Sequence, residues 1–199
     1  MLRREVAGST AIIMRTDPEV PSYTMREPRS GDAAELWRLV RDSGSLDLNS
    51  PYVYLLICTD HARTSVVATD EHDRPVGFVA AYRPPPDPDA AFVWQIGVAE
   101  RARGQGVAKH LLMTMLSREA NRDAGVLTAT VTPDNAASLA LFRRVASELS
   151  AGIEEHERFP AEVFPEGHEP EVALRIGPLA PRGTEVADLR TTEPVDPTD

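Results

Sequence analysis

Apolar and polar positions along the chain follow two spacings, and the spacings switch in a regular order. "YTMRE" (23–27) alternates over a length that suits a short strand. "SGDAAELWRLVRDSG" follows, with Leu36, Leu39 and Val40 on one helical stripe. Asp32, with Glu35 three positions later, predicts an N-cap and its capping-box partner. "SVVAT" (65–69) and "PVGFVAAY" (75–82) are β-branched runs joined by the polar "DEHDR", hence a hairpin. "PPPDPD" breaks the chain before another strand, "AAFVWQIGV". "GVAKHLLMTMLSREAN" places Val107, Leu111, Leu112, Met115 and Leu116 on one helical face. "VLTATV" reads as strand, "TPDN" as turn and cap, and "AASLALFRRVASEL" as a further amphipathic helix. "EVALRI" (171–176) closes as a strand.

This order of strands and helices predicts an α/β (α+β) domain on a mixed sheet, spanning residues 23–177. Residues 1–22 hold no sustained period and contain "TDPEVPS", so they are expected to form a flexible arm. Residues 178–199 are rich in Pro, Thr and Asp and are expected to be disordered.

Charge narrows the partners. The chain carries 31 acidic and 21 basic residues, a formal charge of −10, which argues against nucleic acid or an anionic membrane surface. An acidic surface is compatible with a cationic substrate, and solubility explains it equally. No apolar run reaches the roughly 18 residues of a membrane span. The start, "MLRREVAGSTAIIMR", has too short and broken an apolar core for a signal peptide. A single cysteine excludes an intrachain disulfide and suits a reducing compartment, so a cytoplasmic protein is expected. Cys58 lies in the apolar "YVYLLICTD" and is expected to be a buried small hydrophobe rather than a nucleophile. No histidine pair has zinc-like spacing, and no metal is expected.

Against this acidic background stands the basic, glycine-rich turn "RARGQGVAKH" between a strand and a helix. A helix N-terminus presents unpaired N–H groups and a partial positive charge. Gly104 and Gly106 would let an anion approach the backbone, and Arg101 and Arg103 add charge. The N–H groups of residues 104–108 would then point at a pyrophosphate. The alternative is a tight connection whose glycines serve geometry alone. A dinucleotide G-x-G-x-x-G would need glycine where Lys109 stands, and no P-loop pattern is present.

What remains is R-x-x-G-x-G at Arg101, Gly104 and Gly106, directly after "WQIGV". This resembles the acyl-CoA pyrophosphate motif of the GNAT N-acetyltransferase superfamily, and "TPDNAASLALF" is similar to its second cofactor motif. "LDLNSPYVYLLICTDHARTSVVA", "GFVAAYRPP", "FVWQIGV" and "RFPAEVF" followed by "HEPE" resemble the L-2,4-diaminobutyrate acetyltransferases of ectoine biosynthesis. The resemblance implies a GNAT fold with acyl-CoA between the splayed fourth and fifth strands. It implies transfer of acetyl from acetyl-CoA to the side-chain amine of diaminobutyrate, and a homodimer. Another small amine as acceptor, or a non-catalytic acyl-CoA sensor, are the rival readings.

Site residues follow from the same resemblance. A main-chain N–H near Ile96 would meet the thioester oxygen, with Gly97 and Val98 continuing that strand. Arg103, Gly104, Gln105, Gly106, Val107 and Ala108 would form the pyrophosphate turn, and Asn135 and Ser138 would face the pantetheine arm. The attacking amine must lose a proton, for which a carboxylate is the expected base. Asp47 and Tyr52 stand where the acceptor site is expected, although Asp47 would equally serve as a turn cap. Trp94 is expected either in the core or as a wall beside the amine, on the face it would share with Ile96. Glu169 and Glu171 would ordinarily be solvated turn charges; the resemblance puts one of them near the substrate, with Glu169 favoured, and His168 shares that ambiguity. Phe142 stands where many members of the superfamily have the tyrosine that protonates the departing thiolate. Tyr52, another hydroxyl, or unassisted departure would replace it.

Overall fold

The computed structural model describes residues 12–13, 23–44, 46–165 and 168–180. Eight strands form one sheet: β1 (Ile12–Ile13), β2 (Thr24–Arg26), β3 (Val66–Thr69), β4 (Pro75–Tyr82), β5 (Ala90–Val98), β6 (Val126–Val131), β7 (Gly152–Phe159) and β8 (Glu171–Gly177). Their spatial order is β1-β2-β3-β4-β5-β6-β8-β7. All neighbours are antiparallel except β5 and β6. Helices α1 (Ala33–Ser43) and α2 (Pro51–Thr59) cover one face, and α3 (Val107–Ser117) and α4 (Ala136–Glu148) the other.

The period-two pattern of the strands sorts side chains into two cores. Val66, Ala68, Val79, Ala81 and Val93 pack with α3 and α4. Val67, Phe78 and Ala80 pack with Leu36, Val40, Tyr54 and Ile57 from α1 and α2. Cys58 belongs to this second core, where burial pushes its thiol up to about 12. That leaves it a packing residue and no nucleophile.

Several local expectations need correction. Asp32 stands at the N-cap of α1 but makes no cap bond there. Its carboxylate instead takes Arg26 at 2.7 and 2.9 Å and the Arg29 N–H at 2.7 Å, tying β2 to α1. Glu35 turns to Arg38. Helix α3 ends at Ser117 rather than near Asn121, whose amide bonds the Met115 and Thr64 carbonyls. Within the arm expected over 1–22, Ile12–Ile13 pairs with β2; the rest of that stretch lies outside the described residues. At the other end Leu179 is buried, and its N–H bonds Gly125, past the expected boundary at 177. The rest of the tail, from residue 181, also lies outside the described residues.

Candidate active site

The sheet opens between β5 and β6. Their parallel pairing runs from Ala90↔Val126 to Val93↔Ala129 and stops, while β5 continues to Val98 and β6 to Val131. With β1 counted first, these are the fifth and sixth strands rather than the expected fourth and fifth. A bulge lies at the point of divergence. Ala80 pairs with Gln95 and Ala81 with Val93, so Trp94 is left without a partner on β4. The extra residue breaks the alternation expected for Trp94 and Ile96. Val93 and Ile96, three apart, both meet the core on the α3–α4 side, whereas Trp94 is 45% exposed and lines the gap.

Backbone phase shows what the gap offers. The Ala99 N–H donates to the Val76 carbonyl at 2.8 Å, so Ala99, Gly97 and Gln95 direct their main-chain groups at β4. Ile96 and Val98 therefore turn theirs away from β4, into the gap. The Val98 carbonyl is met there by Arg103 Nε at 3.2 Å. Gly97 serves packing instead. A Cβ there would lie 2.9 Å from Phe78 and about as close to Leu39 and Leu46, so its absence lets the acceptor-side segment pack onto β5.

Three adjoining recesses follow the gap, of about 440, 610 and 280 Å³. The first is lined by Asp47, Trp94, Ile96, Asn135, Ser138, Phe142, His168, Glu169 and Glu171. The second shares Ile96, Asn135 and Ser138 and adds Gly97, Val98, Arg103 and Ala108. The third lies over Gly104, Gly106 and Ala108 between α3 and α4, with Arg103, Lys109 and Arg144. A larger cleft of about 1030 Å³ lies between α1 and the β3–β4 turn and meets this channel only at Val98 and Arg103. It is lined by charges of both signs, whereas the unpaired strand edge and the helix N-terminus both belong to the channel.

Charge is graded along the channel. The glycine-turn end holds Arg103, Lys109 and Arg144, with Lys109 paired to Glu148 at 2.8 Å. The far end holds Asp47, Asp134, Glu169 and Glu171, and no lysine or arginine among the described residues lines it. One end suits a polyanion and the other an ammonium group.

The turn itself is built for close approach. Gly104 and Gly106 have φ of 75° and 77°. A Cβ on Gly104 would meet nothing within 4 Å, and one on Gly106 only His110 at 3.8 Å. Sign of φ, not crowding, requires glycine, and the space above is open. Gly106 is the N-cap of α3 and leaves its first N–H groups without a side-chain cap. Gln105 braces the turn from behind, accepting from Tyr23 Oη at 2.8 Å and donating to the Arg101 carbonyl at 3.0 Å. Val107 is buried in the core, so only its main chain faces the turn. Arg101 leans to Pro75 and Asp70 and lines the larger cleft instead.

On the opposite bank Asn135 caps α4 by accepting from the Ser138 N–H at 3.0 Å. Phe142, one turn on from Ser138, is buried and offers the cavity only carbon. The Asp47 side chain is 91% exposed and stands 4.0 Å from His168, which stacks on Phe164. Tyr52 is 66% exposed on the first turn of α2 and lines none of the three recesses. Glu169 is exposed, whereas Glu171 has one carboxyl oxygen buried with no partner among the described residues. Sequence reasoning passed over the side chains of Gln95, Thr132 and Asp134, which line the same end. Asp134 accepts from Thr132 at 2.6 Å within "TPDN", a stretch whose turn propensity accounts for these residues without a site.

Residues 32–146 match the model of the acetyltransferase (GNAT) family. The L-2,4-diaminobutyric acid acetyltransferase of Streptomyces coelicolor is 48% identical over 158 residues, 78% of this chain and 93% of that protein. That of Halalkalibacterium halodurans is 46% identical over 161 residues, 80% and 84% of the two chains. Among solved structures, the diaminobutyrate acetyltransferase of Paenibacillus lautus, in complex with its substrate L-2,4-diaminobutyric acid and coenzyme A, superposes with a TM-score of 0.76 at 39% identity, covering 79% of this chain and 96% of that one. The chain thus belongs to the GNAT acetyltransferases and, within them, to the L-2,4-diaminobutyric acid acetyltransferase family.

Proposed function

We propose that the protein transfers acetyl from acetyl-CoA to the side-chain (γ) amine of L-2,4-diaminobutyrate, giving N4-acetyl-2,4-diaminobutyrate by direct attack in a ternary complex. The observation that carries this reading is the charge-graded channel along an unpaired strand edge, cationic at its glycine turn and anionic at the end lined by Trp94. The Paenibacillus lautus relative, crystallised with diaminobutyric acid and coenzyme A, supports the same pair of ligands.

The residues divide the work. Main-chain N–H groups at Gly104, Gln105, Gly106, Val107 and Ala108, with Arg103, hold the pyrophosphate. Ile96 directs its N–H at the oxygen on which negative charge builds, and Asn135 and Ser138 flank the pantetheine arm. Asp47 and the Glu169–Glu171 pair attract the ammonium groups, and a carboxylate at this end takes the proton the amine must lose. Trp94 forms the wall that sets the amine against the thioester carbon. Phe142 has no proton to give and Tyr52 faces solvent. A thiol with an ordinary pKa of about 8.5 departs as thiolate, toward the partial positive end of α4. The buried, protonated Cys58 leaves no acyl-enzyme route.

This reading carries with it a cytoplasmic homodimer that serves ectoine synthesis in osmoadaptation. Exposed Leu48, Tyr52, Leu55 and Val163 supply apolar area for such a dimer to bury, and light scattering tests it. The deciding experiment is a panel of amines with acetyl-CoA, following thiol release and locating the acetylated nitrogen by NMR. Diaminobutyrate used no better than ornithine or lysine, or acetylated mainly at its α-amine, overturns the assignment. Cofactor binding without thiol release would leave a sensor.

A further inference from the structure

Gln95 is a buried polar side chain in an otherwise apolar strand, 9% exposed, and it makes two bonds across separate elements. Its Nε2 donates to the Asp47 carbonyl at 2.9 Å, and its Oε1 accepts from Tyr54 Oη at 3.1 Å. The assignment is forced, because a carbonyl oxygen only accepts: the amide nitrogen must face Asp47, and the tyrosine must then donate. Tyr54 is itself fully buried on α2, edge-on to Phe78 with ring centroids 6.3 Å apart. One amide thus joins α2, β5 and the segment that carries Asp47.

Its position in β5 gives the junction a functional consequence. Trp94, on one side, is the bulged residue that lines the acceptor end. Ile96, on the other, turns its main chain into the gap. Consecutive residues therefore carry the acceptor wall, the strut and the thioester contact. A shift of the Asp47 segment relative to Ile96 changes the span that an acceptor must bridge, and one methylene is worth only about 1.5 Å.

We infer that Gln95 is a positioning residue whose bonds to Asp47 and Tyr54 fix the distance between the ammonium-binding segment and Ile96, and so set the chain length of the diamino acid accepted. The inference rests on the acceptor reading given above.

Gln95→Met, which keeps volume and loses both bonds, and Tyr54→Phe, which loses only the hydroxyl, test it with 2,4-diaminobutyrate, 2,3-diaminopropionate and ornithine. We expect KM for diaminobutyrate to rise about tenfold in Gln95→Met and about threefold in Tyr54→Phe. Preference over the other two amines should fall in parallel, with KM for acetyl-CoA within about twofold of wild type. A lowered Tm with acceptor KM and chain-length preference unchanged overturns the inference and leaves Gln95 a core residue. If Gln95→Met does not fold, Tyr54→Phe decides alone, since it retains the packed ring. Wild-type enzyme showing no preference for diaminobutyrate would instead remove the acceptor assignment, an outcome visible before any variant is made.

Discussion

The carboxylate of Asp47 and the imidazole of His168 approach to 4.0 Å at the cavity lined by Trp94. One follows α1 and the other precedes β8, so the cavity is closed by segments far apart in sequence. Asp47 gives the cavity a negative charge on its α1 side. Asp47→Asn keeps the shape and removes the charge that draws an ammonium group. The expected result is an acceptor KM raised about tenfold or more, with acetyl-CoA affinity unchanged. Wild-type kinetics between pH 7 and 9 would reduce Asp47 to a turn residue.

Gly106→Val probes the other end. The residue has φ of 77°, and its Cβ would make only an ordinary contact with His110, so the fold accommodates the volume at the cost of backbone strain. The β-carbon branches stand over the turn where an anion must reach main-chain N–H groups. We expect a folded protein, destabilised by about 1–2 kcal/mol, whose KM for acetyl-CoA rises far more than that for the amine. Unchanged cofactor affinity, measured by calorimetry, would refute the turn's role.

The fold and the glycine turn were legible because each rests on a local pattern: strands and helices with clean periods, and glycines at a strand–helix junction. Helix α2 was not legible. "PYVYLLICT" is apolar almost all round, so no stripe marks it, and only Pro51 at its first position signalled a start. Strand β7 failed for the opposite reason. "GIEEHERF" is largely charged and exposed, an edge strand held by pairing to β8 rather than by a buried face. The bulge at Trp94 is invisible in sequence, since it depends on what β4 pairs with. Gln95 and Tyr54 looked like strand and core. The roles given them here come from hydrogen bonds between elements, which no spacing along one chain predicts. Asp32 carried a true N-cap signal, overridden by Arg26 six residues back.

The Arg26–Asp32 pair yields a stability test. Burial pushes the Asp32 carboxyl up, but the Arg26 hydrogen bonds, the Arg29 N–H and the nearby guanidinium charges outweigh it, holding it below the usual range. A lowered folded value means stability fully present above the unfolded value of about 3.9 and lost as pH falls through the folded one. Asp32→Asn should cost about 3 kcal/mol at pH 7, because it leaves Arg26 buried with only the exposed Asp73 as an ionic partner. Thermal melts carried from pH 7 to below the unfolded carboxyl value of about 3.9 should show the gap between the two proteins begin to close there. Parallel curves would mean that the pair contributes nothing that titrates.

Burial distinguishes the two carboxylates of "HEPE", Glu169 and Glu171. The Glu171 Oε2 is buried beside the cavity lined by Trp94 with no hydrogen-bond partner among the described residues, while Glu169 is exposed on the same rim. A carboxyl oxygen kept from water without a bond costs folding free energy. Such a cost is recovered where the group meets a cation, and we propose an ammonium of the diamino acid for that role. Glu171→Gln should therefore move two measurements in opposite directions. The free protein's Tm should hold or rise, while kcat/KM for diaminobutyrate falls about a hundredfold, roughly 3 kcal/mol of lost charge-assisted bonding. Glu169→Gln, on the solvated rim, should lower kcat/KM by less than Glu171→Gln does. A large loss in Glu169→Gln with Glu171→Gln near wild type would return the role to Glu169. A lowered Tm in Glu171→Gln would show that its buried oxygen is satisfied within the folded protein and is not held in reserve for the substrate.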